Sequence, residues 1–350
     1  MMTASAMWSW LGDAAGLRPS PPRRAARAIS ARVVAVRDEA PGVRTLVLRP
    51  GGGWRPHRAG QHVAITVAVA GRLATRTFTI SSPPGGRELE LTIKDGGRVS
   101  GALVRDARPG DVVGLGEPAG DFVLPDQPGR VLFVTAGSGV TPAASMLRDA
   151  AARRAMPDAV HVQFARTPRD AIFGDELAAL ARAHASYRHV AIATARAPRR
   201  LSAAYLAELV PDWRDRAAWV CGPAGLIAAA TAAFADAGRA HALHVERFHA
   251  AVAPAPADAR GGTATFRRGA ATTATAADGQ APLLVVAERA GLAPRHGCRM
   301  GICHSCDAAL VSGCARDLRT GARITEPGAR VQLCVSAAAG DLSLDLEPRS

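Results

Sequence analysis

The chain has 350 residues, 48% of them hydrophobic, which is enough apolar material for two or three folded domains and excludes a disordered chain. The formal net charge is +13, but Lys94 is the only lysine, so almost all of the positive charge is arginine. We interpret these residues as scattered, solvated arginines and expect no nucleic-acid binding. The alternative is a basic docking face for an acidic partner.

Residues 1–28 are predicted to form an N-terminal tail. They lack the positively charged start and the apolar centre of a signal peptide. No apolar run in the chain reaches the roughly 18 residues of a transmembrane helix. We therefore predict a cytoplasmic protein without a transmembrane segment. Trp8, Trp10 and Leu11 are compatible with peripheral contact to a membrane or to a partner, but we favour a poorly ordered tail.

Short β-type runs separated by clusters of Gly, Pro and Asp come next. They are residues 32–36, 43–48, 62–69, 76–80 and 88–93. Short strands at this spacing are typical of a small antiparallel barrel, which we place at residues 29–126.

The pattern changes at residues 130–135, where an almost fully apolar strand precedes a glycine turn and a helix over 142–154. The further elements predicted here are strands at 159–165, 189–194 and 218–221 and helices over 174–185 and 226–237. Strands that alternate with helices predict an α/β domain with a parallel sheet, at residues 127–248.

An Ala/Pro-rich linker is predicted at residues 249–261, and a third, α+β domain at residues 262–350. The elements predicted in it are a strand over 263–267, a helix over 282–290 and a strand over 342–346.

The cysteines indicate a metal site. Five of the six lie beyond residue 297, which in a chain without an export signal is not a disulfide framework. Cys298, Cys303 and Cys306 have C-x4-C-x2-C spacing and Cys334 follows, which is the plant-type arrangement of a [2Fe–2S] cluster.

Zinc is the competing metal, but its sites favour paired C-x2-C units, and the loop contains only one such pair. Gly301 leaves the backbone room to wrap closely around a cluster. Cys314 lies outside the spacing, and we predict that it is a surface thiol in the turn Ser312–Cys314.

Two segments of the predicted barrel are candidates for binding a flavin. Arg76 can pair with a phosphate, Phe78 can pack against the flavin, and Thr79 offers a hydroxyl at the reactive edge of the ring. Gly97 and Ser100 lie where a helix begins, and a helix N-terminus attracts a pyrophosphate. Taken alone, either segment is better explained as an ordinary strand end or helix cap.

The glycine turn after residues 130–135 is a candidate nicotinamide site. Gly137 and Gly139 allow a pyrophosphate to approach the backbone, and Thr141 and Pro142 open the following helix. The strand–turn–helix context that this motif needs is predicted here.

Cys221, Gly222 and Pro223 end another predicted strand. A small side chain there can lie beside the nicotinamide ring. Taken alone, the segment is better explained as a buried cysteine followed by a Gly-Pro turn.

Together these motifs resemble the ferredoxin–NADP reductase superfamily, in members that carry a C-terminal ferredoxin domain. The module order is similar to that of phthalate dioxygenase reductase and phenylacetyl-CoA epoxidase reductase. The chain also resembles bacterial reductases described as electron-transfer partners of stearoyl-CoA Δ9-desaturase. The segments that carry this last resemblance are residues 120–125, 173–177, 210–213, 244–248 and 316–321.

The resemblance implies a multidomain fold: an antiparallel β-barrel for the flavin, a parallel α/β domain for the nicotinamide and an α+β β-grasp ferredoxin domain. The family's R-x-Y-S motif is matched by Arg76, Phe78 and Thr79, with phenylalanine in place of tyrosine and threonine in place of serine. Its C-G-P motif is matched at Cys221, and its acidic residue near the flavin at Glu246. Catalytic roles are thereby implied for Thr79, Cys221 and Glu246.

The resemblance implies FAD, although a reductase of the same layout holds FMN. Arg166 and Arg169 follow the second parallel strand, where an arginine can accept the 2′-phosphate of NADP, so we favour NADPH over NADH. Hydride would pass from NADPH to the flavin, and single electrons from the flavin to the cluster.

Three fates of the electrons are compatible with the sequence. The one that the resemblance favours is a di-iron acyl-CoA desaturase. The second is a multicomponent aromatic-ring or phenylacetyl-CoA oxygenase. In the third the protein is a redox-sensing or assembly subunit.

Overall fold

The computed structural model describes residues 29–69, 71–196, 199–248, 260–296, 301 and 304–347. The predicted tail, most of the predicted linker, Cys298 and Cys303 therefore lie outside the described residues. No helix in the described part of the chain is both long and apolar enough to cross a membrane.

The first domain is a six-stranded antiparallel sheet in the order β4-β3-β6-β1-β2-β5. Its elements are β1 Ile29–Ala40, β2 Val43–Pro50, β3 His62–Val69, β4 Arg72–Thr79, β5 Leu89–Lys94, α1 Arg98–Asp106 and β6 Val112–Leu115. A bridge between Ile80 and Leu91 joins the end of β4 to β5, so the two edges of the sheet meet as in a barrel. Val99 and Leu103 of α1 are spaced to face the same side, and both are buried in the barrel core.

The second domain is a five-stranded parallel sheet in the order β11-β10-β7-β8-β9. Its elements are β7 Val131–Ala136, α2 Val140–Ala152, β8 Ala159–Ala165, α3 Gly174–Ala183, β9 Tyr187–Ala193, α4 Ala203–Leu209, β10 Ala217–Cys221, α5 Ala224–Asp236 and β11 Leu243–Glu246. One face of the sheet packs on α2 and α3, and the other on α4 and α5. The strand order reverses between β7 and β10, which opens a crevice at their carboxyl ends.

The third domain is a mixed sheet in the order β13-β12-β17-β14-β15, with β16 paired to β14. Its elements are β12 Gly262–Arg268, β13 Ala271–Ala277, α6 Leu283–Arg289, β14 Asp307–Asp317, β15 Arg323–Ile324, β16 Arg330–Gln332 and β17 Ser336–Asp345. β12 and β17, the first and last strands of this domain in the sequence, pair in parallel at the centre of the sheet. Leu284 of α6 belongs to the same core cluster as Phe266 and Leu344. The three predicted sheet types are thereby confirmed.

The predicted turn at Ser312–Cys314 is wrong. These residues lie inside β14, whose pairing with β17 shifts register between Gly313 and Ala315. Gly313 has a φ of +87°, so the feature that looked like a turn is a β-bulge, in which one strand gains an extra residue and bends. Cys314 is half-buried, and Arg323 Nε lies 3.4 Å from its sulfur.

Candidate functional site

The carboxyl end of β4 carries the predicted flavin residues. Thr79 is 4% exposed, and its Oγ1 has no hydrogen-bond partner among the described residues; the same holds for Thr77 Oγ1. Two buried hydroxyl groups without partners indicate a polar group that belongs beside them. Phe78 is half-buried against the barrel core, and Nη1 of Arg76 donates to the carbonyl of Thr75 at 2.8 Å.

The start of α1 provides the second predicted flavin segment. Gly97 caps this nine-residue helix in extended conformation, and Ser100 Oγ donates to the Gly97 carbonyl at 3.3 Å. No side chain caps the helix, so its first N–H groups remain available to an anion. The donors at this end fit a pyrophosphate.

The glycine turn between β7 and α2 is packed tightly against the end of β10. Gly137–Gly139 forms a single 3₁₀ turn, and Thr141 Oγ1 donates to the Ser138 carbonyl at 2.9 Å. A Cβ on Gly139 would overlap the carbonyl of Cys221 and lie 2.8 Å from the nitrogen of Gly222. Only glycine therefore lets the turn approach β10 this closely.

The start of α2 and the residues that follow β10 lie at the same carboxyl edge of the parallel sheet as the glycine turn. Pro142 is buried in the first turn of α2, where its missing N–H costs no hydrogen bond. A Cβ on Gly222 would meet Leu226 Cδ2 at 2.8 Å and the nitrogen of Ala136 at 3.2 Å. Pro223 then caps α5.

His62 brings the three predicted catalytic residues into one neighbourhood. It pairs in register with Thr79 across β3 and β4, and its Nδ1 lies 3.5 Å from Oε1 of Glu246. Glu246 in turn pairs in register with Cys221 across β11 and β10. Thr79 of the barrel and Cys221 and Glu246 of the parallel sheet are thus linked across the boundary between the two domains.

Burial determines whether the Glu246 carboxyl group and the Cys221 thiol carry a proton. Burial raises the pKa of Glu246 and Asp121 raises it further, while the hydrogen bond with His62 opposes the rise. Glu246 Oε2 has no partner among the described residues. Burial, assisted by Glu246, also raises the pKa of Cys221 well above its ordinary value, so Cys221 is a neutral thiol and not a thiolate nucleophile.

His62 was not a candidate from sequence, because one histidine at the start of a strand carries no distinguishing pattern. In the structure, Gly120 makes room for its ring. Gly120 has a φ of +104°, and a Cβ there would lie 2.9 Å from the imidazole.

Arg166 lies at the carboxyl end of β8, away from the neighbourhood of Cys221. Its side chain is 82% exposed, with only a loose ion pair at 4.0 Å to Asp170. Oδ2 of Asp170 accepts hydrogen bonds from both the nitrogen and the hydroxyl of Thr167. The carbonyl of Arg166 accepts from the nitrogen of Ala195, which brings the exposed Arg196 after β9 to the same end.

Two of the four predicted cluster cysteines are described, and they lie together. Cys306 and Cys334 are 3% and 7% exposed, and the nitrogen of Leu333 donates to the Cys306 carbonyl at 3.2 Å. The nitrogen of Gly301, which has a φ of +72°, lies 3.2 Å from the sulfur of Cys334. Backbone N–H groups directed at thiolate sulfur are typical of iron–sulfur sites.

The loop around these cysteines is held by side chains that the sequence did not single out. Arg319 Nη1 and Gln332 Nε2 both donate to the Gly301 carbonyl, at 3.0 and 3.2 Å. A Cβ on Gly301 would meet Arg319 at 2.5 Å and Val335 at 2.9 Å. Gly301 is therefore required both by its backbone conformation and by close packing.

Comparison with known families matches each domain separately. Residues 56–124 match the oxidoreductase FAD-binding domain, residues 133–232 the oxidoreductase NAD-binding domain, and residues 266–339 the 2Fe-2S iron-sulfur cluster binding domain. FAD, a nicotinamide nucleotide and a [2Fe–2S] cluster are therefore the cofactors of this chain.

The similar proteins cover most of the chain. An NADPH oxidoreductase of Mycobacterium tuberculosis is 44% identical over 333 residues, which is 93% of this chain and 86% of the relative. The glycine betaine monooxygenase reductase subunit of Pseudomonas aeruginosa is 29% identical, over 82% of this chain and 87% of its own. The solved structure of phthalate dioxygenase reductase has the same fold, with a TM-score of 0.64 and 23% identity, over 91% of this chain and 98% of its own. The chain thus belongs to the ferredoxin–NADP reductase superfamily, in the group whose FAD-binding and NAD-binding domains are joined to a [2Fe–2S] domain, and it is an NAD(P)H oxidoreductase.

Proposed function

We propose that the protein takes electrons from NADPH and passes them singly, through FAD and the [2Fe–2S] cluster, to a di-iron acyl-CoA desaturase. The observation that carries the proposal is the linked neighbourhood of Thr79, Cys221 and Glu246, in a chain that also carries the loop of Cys306 and Cys334. A [2Fe–2S] cluster accepts one electron at a time, so a chain that joins a cluster to a hydride site is suited to an acceptor of single electrons.

For the flavin, we assign the phosphate to Arg76 and the ring contact to Phe78. The pyrophosphate is assigned to Gly97 and Ser100, because the uncapped start of α1 supplies N–H donors and a favourable dipole. The partnerless hydroxyl of Thr79 supports its role at the reactive edge of the ring.

For the nicotinamide nucleotide, we assign the pyrophosphate to the turn of Gly137 and Gly139. Thr141 and Pro142 open α2 behind it, and Gly222 and Pro223 follow the end of β10 beside it. The 2′-phosphate is assigned to Arg166, with the exposed Arg196 at the same end. The exposed arginine at this end of β8 is the feature that favours NADPH over NADH.

FAD held by these residues would supply the chemistry that no side chain provides, which is uptake of hydride from the nicotinamide and release of single electrons. The protein's own residues orient the rings and manage the proton. Glu246, with its pKa raised by burial, holds a proton at the domain boundary, and His62 fixes the direction of its carboxyl group. Cys221 supplies a small, neutral, buried side chain.

The cluster ligands are proposed to be Cys298, Cys303, Cys306 and Cys334. The spacing supports all four, and the position of Gly301 against Cys334 supports the last.

The test of the desaturase partner uses membranes that contain an acyl-CoA Δ9-desaturase. Purified full-length protein, NADPH and stearoyl-CoA are added, and oleoyl product is quantified. Product that depends on both protein and NADPH is the expected result. No product, together with rapid NADPH-driven reduction of cytochrome c, would overturn the desaturase assignment and leave the oxidoreductase activity intact.

A second candidate is the reductase component of a multicomponent oxygenase. It is favoured by the monooxygenase reductase subunit and the phthalate dioxygenase reductase that this chain resembles. Stimulation of substrate hydroxylation in a reconstituted Rieske-type or di-iron oxygenase would identify it. A redox-sensing or assembly role would instead leave turnover with NADPH and cytochrome c very low.

A further inference from the structure

Arg148 joins the barrel to the parallel-sheet domain. It lies on α2, the helix that begins directly after the glycine turn, and its side chain is 14% exposed. Nη1 donates to the Ser81 carbonyl at 2.8 Å and to Glu90 of β5 at 3.1 Å. Nε and Nη2 form a bidentate pair with Glu176 of α3, at 2.7 and 2.6 Å.

The surroundings of Arg148 keep its guanidinium charged and fixed. Burial alone would lower its pKa, but Glu176 and Glu90 outweigh burial and hold the pKa above the ordinary value. The guanidinium carbon also lies 4.3 Å from the centre of the Phe173 ring, which is a cation–π distance. Phe173 has a φ of +59°, a conformation that bulky residues seldom adopt.

Ser145, almost one turn earlier on α2, makes the neighbouring contact. Its hydroxyl donates to the Ser82 carbonyl at 2.9 Å and accepts from the nitrogen of Gly60 at 3.3 Å. Helix α2 therefore bonds two successive carbonyl groups, those of Ser81 and Ser82, in the segment that directly follows Thr79.

We propose that Arg148 is a positioning residue that sets the distance between the glycine turn and the flavin strand. A helix is stiff along its length. A contact that fixes α2 against Ser81 of the barrel therefore also fixes the position of the glycine turn, which directly precedes α2. Hydride transfer depends steeply on the alignment of the reacting rings, and a misplacement of about 1 Å can cost about 100-fold in rate. The proposal rests on the functional assignment of the glycine turn and of Thr79 given above.

The chain provides a matched control in Arg216. Its side chain is 6% exposed and bonds Asp158 at 2.8 Å and Asp212 at 2.8 and 3.1 Å. Each arginine bridges two carboxylates, and Arg216 is the more deeply buried of the two. All contacts of Arg216 remain inside the parallel-sheet domain, so its loss affects stability without affecting how that domain meets the barrel.

The experiment compares Arg148→Met, Arg148→Lys and Glu176→Gln with Arg216→Met in full-length, flavin-loaded protein. The rate of flavin reduction is measured in a single turnover at saturating NADPH. The long-wavelength charge-transfer absorption that a reduced flavin gives when it stacks on an oxidised nicotinamide ring is measured in protein with reduced flavin and saturating NADP⁺. Hydrogen exchange of the amides of residues 79–82 is the third measurement.

For Arg148→Met we expect flavin reduction to slow by about 10- to 100-fold while the dissociation constant for NADP⁺ changes little. The charge-transfer absorption should weaken, and exchange at residues 79–82 should accelerate. Arg148→Lys should recover part of the rate, because a single ammonium cannot reproduce the planar fork. Arg216→Met should unfold at a lower temperature than the wild type. Its rate of flavin reduction and its charge-transfer absorption should equal those of the wild type.

The proposal is overturned if Arg148→Met reduces the flavin as fast as Arg216→Met and gives the same charge-transfer absorption. Should Arg148→Met not fold, Arg148→Lys and Glu176→Gln decide the question by the same comparison. Failure of the assignments on which the proposal rests is a different result, because the wild-type protein itself would then not be reduced by NADPH. Failure of the desaturase assignment would leave all of these measurements unchanged.

Discussion

Glu246 and His62 show how one buried pair links two domains. Each side chain is 10% exposed, and they approach within 3.5 Å between β11 of the parallel sheet and β3 of the barrel. A carboxyl group at such a site is costly to ionise, because water no longer stabilises its charge. The consequence is a carboxyl group that keeps its proton at a pH where exposed glutamates have lost theirs.

This proton should be visible in the pH dependence of stability. As pH rises from the ordinary glutamate value of 4.5 to the raised folded pKa, the folded protein keeps a proton that the unfolded chain has released. The free energy of unfolding therefore falls with pH over this window. The free energy of unfolding of Glu246→Gln, minus that of the wild type, should increase as pH rises through this window. Above the window this difference should stay constant.

The measurement is thermal unfolding of flavin-loaded protein between about pH 4 and about pH 8. Exposed Glu117→Gln is the control and should follow wild type. Parallel pH dependences for wild type and Glu246→Gln would show that Glu246 ionises normally in the folded protein.

Arg166→Ala tests the nucleotide assignment. A charge-assisted hydrogen bond to a 2′-phosphate contributes about 1.5–3 kcal/mol, so we expect KM for NADPH to rise about tenfold or more. KM for NADH should not change, because NADH lacks that phosphate. Arg182→Ala, at the far end of α3, is the control. An equal rise in both KM values would contradict the assignment of Arg166.

At the scale of elements, the site depends on how closely the turn before α2 meets the end of β10. The backbone of Gly139 lies against Cys221 and Gly222, so the two strand ends form one continuous surface, to which we assign the nucleotide. This proximity needs β7 and β10 to be neighbours in the sheet, which their parallel pairing provides.

Gly139→Ala should separate these two strand ends. The new methyl group would overlap backbone atoms that cannot rotate away, so we expect a loss of about 1–3 kcal/mol in unfolding free energy and weaker NADPH binding. Gly225→Ala in α5 is the matched control, because its methyl group meets nothing within 4 Å. Thermal unfolding and NADPH titration measure both effects; unchanged binding in Gly139→Ala would show that the turn has room to relax.

At the scale of the whole molecule, each of the three domains matches a family that binds a different redox cofactor, and we propose that these cofactors act in succession. The barrel meets the parallel sheet through Arg148 and the pair of His62 and Glu246, while the third domain has its own sheet and core. Electrons should therefore reach small dyes without the cluster, but reach a one-electron protein acceptor only through it.

Cys334→Ser should lose the cluster iron, because a fourth ligand is missing from a buried loop. Reduction of cytochrome c by NADPH should fall to a small fraction of the wild-type rate, while reduction of ferricyanide continues at about the wild-type rate. Iron content and both activities are measured side by side. Cys314→Ser, outside the ligand spacing, should keep its iron, and cytochrome c reduction that survives in iron-free Cys334→Ser would contradict this order of carriers.

Sequence reasoning located most of the longer elements because their periodicity is local. The apolar run of β7, the helix after the glycine turn and the five longest barrel strands lie within a few residues of their predicted positions. The elements that were not predicted are the short strands β6, β11, β15 and β16, the alanine- and threonine-rich β13, the 11-residue strand β14 and the seven-residue helix α4. A short strand forms only when a partner supplies the hydrogen bonds, and that partner is distant in the chain. Strand β14 was missed because the sequence at its bulge has the composition of a turn.

The sequence by itself determined the three kinds of sheet, the order of the cofactor domains and the cysteine spacing, since each follows from local pattern or fixed intervals. Only the tertiary structure decided that His62 contacts Glu246, that Arg148 bonds Ser81 and that Arg319 and Gln332 hold Gly301. These contacts join residues far apart in the chain, and a buried polar side chain takes whichever partner the packing brings within hydrogen-bond distance. The same reason explains Cys314: Ser312–Cys314 has the composition of a turn, but pairing with β17 makes it a bulge.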